Sequence, residues 1–210
     1  MKIHANIITS APIMLKLPGY DLYDSLDLVT RGERSALLDT GARDYLATVR
    51  VPFPFEAVTH IYSAPRGQTF ETAQLFVSSG LMSRAQHFSL EELSNIKYSF
   101  SSLISKQRFL SLPYDNAMAE ARRAFVTQLF REHLSITQAE LMLRFQKIIE
   151  LANHPGNHLF IGHAFPMRLF EVWLTNPDCY KDEASLVEAF NPTRRPYEPL
   201  SGFSLSRPPC

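Results

Sequence analysis

The sequence predicts an α/β domain, a three-layer sandwich with helices on both faces of a mostly parallel central sheet. Three short apolar stretches, within residues 6–14, 57–65 and 158–165, contain the β-branched and aromatic residues typical of buried strands. Stretches with apolar residues at three- and four-residue spacing follow them, which is typical of helices. Strands that alternate with helices favour a parallel sheet covered by those helices.

The first half of the chain is predicted to contain two helices between its strands. Residues 15–28 resemble a loop, because Pro18-Gly19 is a turn signal. A helix is predicted from Gly32 to Pro52, where proline ends it. The second helix is predicted over residues 69–80 and ends at a glycine.

The second half is predicted to be largely helical. Residues 81–115 are less regular and rich in aromatic side chains, and we expect them to form a cap over a pocket. A long helix is predicted over residues 116–134, and a capping box at 137–140 starts another. A short helix is predicted over residues 167–174. The proline-rich tail, residues 191–210, is predicted to begin as an edge strand and to end frayed.

The composition of the chain limits the classes of protein to which it can belong. The 210 residues suit a single domain spanning 1–210, and 21 basic residues balance 21 acidic ones. Such a chain offers no large basic field to nucleic acid or to an anionic membrane, and no apolar run is long enough to span one. With only Cys179 and Cys210, a structural disulfide is not expected, which favours a reducing, cytoplasmic location.

Each of the three predicted strands ends in polar or turn-forming residues. These ends are Thr9-Ser10, Ser63-Ala64-Pro65 and Gly162-His163. In parallel α/β sheets the ligand crevice lies at the carboxyl ends of the strands. The sequence therefore predicts one pocket where these three ends meet.

Three segments together resemble the histidine phosphatase (phosphoglycerate mutase-like) superfamily. They are "LVTRGERSALLDTGARDYL" (28–46), "HIYSAPRGQTFETAQLF" (60–76) and "LFIGHAFPMRLF" (159–170), in the order and spacing of that family. The resemblance implies a phosphoglycerate mutase-like fold over roughly residues 5–170. Members of the family often dimerise, so a homodimer is also what the resemblance implies. No cofactor is expected, and no metal is expected because the spacing of His154, His158 and His163 matches no standard metal site.

The chemistry of the family requires a nucleophilic histidine within an Arg-His-Gly motif on the first strand. Two arginines and a second histidine clamp the phosphoryl group, and an acid protonates the leaving oxygen. A neutral imidazole is a competent nucleophile near pH 7. Arginine forks match phosphate oxygens and offset the charge of the transition state.

This sequence departs from the family at nearly every one of those positions. The motif falls on Thr9-Ser10-Ala11, so Thr9 replaces the first arginine and Ser10 the nucleophile. The second arginine position falls on Gln68, while the second histidine is retained as His163. The position of the acid falls on Asn95, and a small shift would place Glu91 or Glu92 there instead.

These departures lead to a hypothesis and two alternatives. The leading hypothesis is a pseudoenzyme that holds a small polar or weakly anionic molecule near Ser10, Gln68 and His163. The first alternative is a repurposed enzyme that uses His163 as acid or base, alone or in a dyad with Ser10, on a metabolite without phosphate. The second is weak residual phosphatase activity through Arg66 and His163.

Overall fold

The central feature of the protein is a five-stranded sheet. The computed structural model describes residues 4–36, 38–49, 51, 53–194 and 197–206. The strands run in the order β3-β2-β4-β1-β5, and all neighbouring pairs are parallel except β1 and β5. This confirms the predicted α/β class with a mostly parallel sheet. The strands are β1 (His4–Thr9), β2 (His60–Ser63), β3 (Gln86–Ser89), β4 (Asn157–Gly162) and β5 (Gly202–Ser206).

The described residues contain eight α-helices, most of which follow a strand or pack beside one. None of them is both long and apolar enough to cross a membrane. The first four are α1 (Leu22–Thr30), α2 (Ala42–Thr48), α3 (Gln68–Ser78) and α4 (Lys106–Ser111). The others are α5 (Tyr114–Phe130), α6 (Gln138–Ala152), α7 (Ala164–Thr175) and α8 (Glu183–Phe190).

Alternating side chains of the strands give the sheet two buried faces. Along β1, Ile7 packs into a large core with α5, α6 and α7, whereas Ile8 packs into a smaller core with α2 and α3. Phe160 and Ile161 divide between the two cores in the same way along β4. Because successive strand residues point to opposite faces, this pattern produces the helix–sheet–helix sandwich.

Two element predictions in the first half were wrong. The segment predicted as a loop contains α1, which begins where the side chain of Asp21 accepts a hydrogen bond from the backbone N–H of Asp24. The turn signal at Pro18-Gly19 thus precedes a helix. The helix predicted from Gly32 is shorter and is represented by α2, because Leu38 forms an extended bridge with Ile13 instead.

The second half agrees more closely with the sequence. The capping box is present, since Thr137 and Glu140 exchange hydrogen bonds at the start of α6. The tail does form an edge strand, β5, which lies antiparallel to β1. Residues 207–210, the predicted frayed end that includes Cys210, lie outside the described residues. Residues 81–115 contain β3 and α4, and their role as a cap stays a prediction.

Candidate functional site

Parallel pairing brings the predicted strand ends together. Thr9 is aligned with Gly162 across β1 and β4, so the chain leaves the sheet at Ser10 and His163 side by side. Ser63 is aligned with Ile161 across β2 and β4, which places the end of β2 on the other side of β4. Helices α3 and α7 begin directly after β2 and β4.

An open cavity of about 570 Å³, called the cleft here, lies at these strand ends. Its size is within the range typical of small-molecule sites. Its lining comes from the starts of α3 and α7, from the segment after α1, from residues 91–98 and from α6. Its lining includes the polar or aromatic side chains of Arg66, Gln68, Asn95, Tyr98, His163 and Phe165.

Gln68 and His163 form a hydrogen-bonded pair on the wall of the cleft. The Gln68 Nε2 atom lies 3.1 Å from His163 Nδ1. An amide nitrogen only donates, so Nδ1 accepts and the ring carries its proton on Nε2. Burial lowers the pKa of His163 to about 4, so the ring is neutral near pH 7. In this tautomer, Nε2 is a hydrogen-bond donor for a ligand.

The N-termini of α3 and α7 lie in the lining of the cleft. Gly67 is the N-cap of α3 and His163 is the N-cap of α7, and neither forms a side-chain capping bond. The φ angle of Gly67 is 78°, a left-handed conformation that glycine adopts without strain. Uncapped N–H groups and the positive end of the helix dipole attract anions, which makes this edge favourable for negative charge.

The rim of the cleft is basic. Arg34, Lys97 and Arg144 line it together with Arg66, against a single carboxylate, that of Glu91, in the described lining. No described residue forms an ion pair with Arg34, Arg66 or Lys97. Because Thr9 and Gln68 stand where the family pattern has its two arginines, the sequence alone predicts a cleft with little positive charge. The structure differs, because four basic side chains from four separate segments line the cleft.

The other candidates for the family's acid position are distributed around the cleft. Asn95 and Glu91 line it, and the Glu91 carboxylate accepts a hydrogen bond of 2.9 Å from the Ser94 hydroxyl. Glu92 does not line the cleft but a smaller cavity beside it, which His163 also borders. The side chain of Arg144 is held on the rim by a 3.1 Å hydrogen bond to the Ser94 carbonyl.

Thr9 and Ser10 are placed differently from the other candidates. Thr9 Oγ1 donates to the carbonyl of Glu198 at 2.9 Å, and the Ser10 carbonyl accepts from the N–H of Leu200 at 3.2 Å. Both residues are buried, and neither belongs to the described lining of the cleft. The carboxyl end of β1 is therefore covered by the C-terminal segment, residues 197–201.

Aromatic rings form one wall of the cleft. Tyr98 and Phe165 lie almost parallel, with centroids 6.4 Å apart, and the buried ring of Phe125 contacts both at 5.0 Å. Burial raises the pKa of Tyr98 well above its ordinary value, so its hydroxyl stays protonated. This wall is apolar and offers a surface for the carbon skeleton of a ligand.

His60 and His158 lie outside the cleft and contact other parts of the fold. His158 Nε2 lies 2.9 Å from the His154 carbonyl, and its ring stacks on that of His60 with centroids 4.9 Å apart. Across the ranges that the structure describes, no three His, Cys, Asp or Glu side chains are grouped to hold a metal ion. The candidate chemistry is therefore that of the cleft.

Comparison with known proteins identifies a structural match but no match to a family model or a curated sequence. No protein-family model and no curated protein matches the chain. Among solved structures, the chain is similar to phosphoglycerate mutase from Bacillus anthracis str. Sterne, with 12% sequence identity and a TM-score of 0.46. The match covers 85% of this chain and 82% of that one.

Proposed function

We propose that this chain is a histidine-phosphatase-like pseudoenzyme whose cleft binds a small anionic molecule without phosphohistidine chemistry. The observation that carries the proposal is the charge of the cleft, where Arg34, Arg66, Lys97 and Arg144 face one carboxylate. A net excess of positive charge in a concave site attracts anions and raises their local concentration.

The polar groups of the cleft suit an anion that accepts several hydrogen bonds. The uncapped N-termini of α3 and α7 supply backbone N–H donors, and the Nε2 atom of His163 supplies another. Arg66 is the guanidinium nearest in sequence to the start of α3. A carboxylate or phosphate group seated between these donors would have its carbon skeleton beside Tyr98 and Phe165.

The absence of phosphohistidine chemistry follows from residue types in the first strand. The residues after Ile8 are Thr9, Ser10 and Ala11, so no imidazole leaves the sheet beside His163. Losing a single transition-state donor typically costs about 100- to 1000-fold in rate. We expect the loss of a nucleophile and two arginines to remove turnover of phosphomonoesters.

Calorimetric titration with inorganic phosphate and with succinate, at low ionic strength and pH 7, tests the proposal. We expect binding that weakens as salt is added, because exposed charges are screened. Arg66→Gln should lower the affinity about tenfold, since a charge-assisted hydrogen bond is removed. Arg123→Gln is the matched control, because Arg123 is exposed and lines neither this cleft nor another described cavity.

Two results would contradict the proposal. Equal affinities in Arg66→Gln and Arg123→Gln would show that the cleft does not hold the anion. Turnover of p-nitrophenyl phosphate that disappears in His163→Ala would instead favour residual phosphatase activity.

The repurposed-enzyme alternative is tested by covalent labelling. A fluorophosphonate that labels Ser10 in the wild type but not in His163→Ala would favour the Ser-His dyad. We expect no labelling, because Ser10 is buried beneath the C-terminal segment and Nδ1 of His163 is engaged by Gln68.

A further inference from the structure

The aromatic wall of the cleft consists of two rings that share one orientation. Tyr98 and Phe165 both line the cleft, and their rings are parallel within 3° with centroids 6.4 Å apart. The two residues come from distant parts of the chain, since Tyr98 precedes α4 and Phe165 belongs to the first turn of α7. Two parallel rings provide an extended π surface, which a single aromatic side chain would not.

Contacts with the protein core fix both rings in place. Phe125 of α5 is fully buried, and its ring meets those of Tyr98 and Phe165 at 61° and 60°, with centroids 5.0 Å apart in each case. The backbone N–H of Tyr98 also donates to the Thr30 carbonyl at 3.0 Å, which ties this segment to the end of α1. A surface that is ordered before a ligand arrives loses little conformational entropy when the ligand binds.

Phe165 connects the aromatic wall to the donors that would hold the anion. Because His163 is the N-cap of α7, Ala164 and Phe165 are the first residues of the helix, where backbone N–H groups lack intrahelical partners. Phe165 thus contributes both a ring and one of these N–H groups. The skeleton of an anion bound at this N-terminus would lie within the length of a side chain from the π surface.

The size and the rim of the cleft also favour an aromatic ligand. The volume of about 570 Å³ is in the range of sites for organic ligands and exceeds what an inorganic anion needs. Arg34 and Arg66 line the same cleft. A guanidinium group interacts favourably with the face of an aromatic ring, whereas a saturated chain offers it no such interaction.

We propose that the anion bound in the cleft carries a planar aromatic ring, which packs against Phe165 and Tyr98 while the acidic group lies at the N-terminus of α7. This inference rests on the proposed function, because it names the class of molecule that the same site binds. Contacts between aromatic rings are favourable beyond the burial of apolar area, by the equivalent of about three- to tenfold in affinity.

Calorimetric titration with three carboxylates tests this inference. Phenylacetate carries the aromatic ring, cyclohexylacetate carries a saturated ring of similar size, and acetate carries neither, while all three are ionised at pH 7. At low ionic strength we expect phenylacetate to bind the wild type at least about tenfold more tightly than acetate, because apolar surface is buried. It should bind about three- to tenfold more tightly than cyclohexylacetate.

Phe165→Leu shows whether the ring of Phe165 produces this preference. The change keeps an apolar side chain and the backbone N–H groups, so the variant should still bind acetate but should bind phenylacetate and cyclohexylacetate about equally. Phe88→Leu is the matched control, because Phe88 is 40% exposed and lines none of the described cavities. The control should keep the full preference, and circular dichroism checks that both variants fold.

The inference is wrong if the wild type binds phenylacetate no more tightly than cyclohexylacetate, a comparison that needs no variant. It is also wrong if the preference is as large in Phe165→Leu as in Phe88→Leu. These failures differ from failure of the proposed function. In that case phosphate, succinate and acetate would all fail to bind, whereas failure of the aromatic inference alone would leave the binding of phosphate and succinate intact.

Discussion

The cleft shares the lining residues Ala164 and Phe165 with a second cavity, called the inner chamber here, which is bounded by α5, α7, the end of α8 and the C-terminal segment. The two cavities differ in how their basic side chains are held. In the cleft, Arg34, Arg66 and Lys97 have no ion-pair partner among the described residues. In the chamber, Arg168 is held by Glu171 and by two carbonyls. We expect the unpaired cations of the cleft to contribute to the proposed binding, whereas Arg168, which pairs with Glu171 and donates to carbonyls of α8, contributes to the fold.

Among the changes that test this difference between the two cavities, Glu171→Gln is expected to have the largest effect on stability. The change keeps the size of the side chain but leaves Arg168 without a carboxylate in a largely buried place. We expect the free energy of unfolding to fall by about 2–3 kcal/mol. Urea denaturation monitored by circular dichroism measures it.

Asp178→Asn is the matched control for that change. Asp178 pairs with Lys181 at 2.6 Å, but both side chains are 79% exposed. Such a surface pair contributes about 0–1 kcal/mol. If Glu171→Gln lowers the free energy of unfolding no more than Asp178→Asn does, then the ion pair of Glu171 and Arg168 does not stabilise the fold. The two cavities would then not differ in the way described above.

The second effect concerns pH and the neutral imidazole of the cleft. The pKa of His163 is lowered from 6.5 to about 4, so its unfolded form binds a proton more readily than its folded form. The stability from this residue is complete above pH 6.5 and is lost as the pH falls toward 4. From that difference we expect a loss of about 2–3 kcal/mol over this range.

His163→Gln isolates this contribution, because glutamine does not titrate. Other buried histidines, such as His158, titrate in both proteins and cancel in the difference. Urea denaturation at several pH values between 4 and 7 should show a shallower decline for the variant. Parallel curves would mean that His163 is not desolvated beside the cleft.

Every described strand except β3 was predictable from the sequence, and so were most helices, because the spacing of apolar residues indicates which faces are buried. The strand at Ile7 and Ile8 shows this well, since the two side chains divide between the two cores. The helix α1 was missed because a Pro-Gly turn marks where a helix starts as readily as it marks a loop. Local signals therefore identify the elements better than their boundaries.

The charge of the cleft was less predictable. Gln68 and His163 follow strands, so strand ends point to both. Arg34, Lys97 and Arg144 follow no strand, and each looks like an ordinary surface residue in sequence. Only tertiary packing brings their segments to one rim, and periodicity contains no information about it.

The third effect concerns Thr9, which the sequence associates with the cleft but which anchors the C-terminal segment. Its hydroxyl donates to the Glu198 carbonyl at 2.9 Å, and the neighbouring Ser201 borders the inner chamber. Thr9→Val keeps the shape and removes this bond, so we expect a loss of about 1 kcal/mol. Amide hydrogen exchange should show reduced protection in β5.

Thr48→Val is the corresponding control. Thr48 is exposed and its hydroxyl contacts only carbonyls of its own helix, at 3.1 and 3.4 Å. Exchange in β5 should be unaffected by this change. Equal protection of β5 in the two variants would show that the Thr9 hydroxyl does not anchor the C-terminal segment. The hydroxyl would then again be a candidate ligand-binding group of the cleft.

The smallest change in stability is expected from Arg66→Gln, and it tests the contrast most directly. Arg66 is exposed and no described residue pairs with it, so without ligand we expect a change within about 0.5 kcal/mol. Excess phosphate should stabilise the wild type through binding to the folded state and should stabilise the variant less. Urea denaturation with and without phosphate measures both quantities. If Arg66 contributes to binding and not to folding, its replacement must leave the stability without phosphate nearly unchanged and reduce the stabilisation by phosphate. A large loss of stability without phosphate would instead show that Arg66 contributes to the fold, as Arg168 does beside the inner chamber.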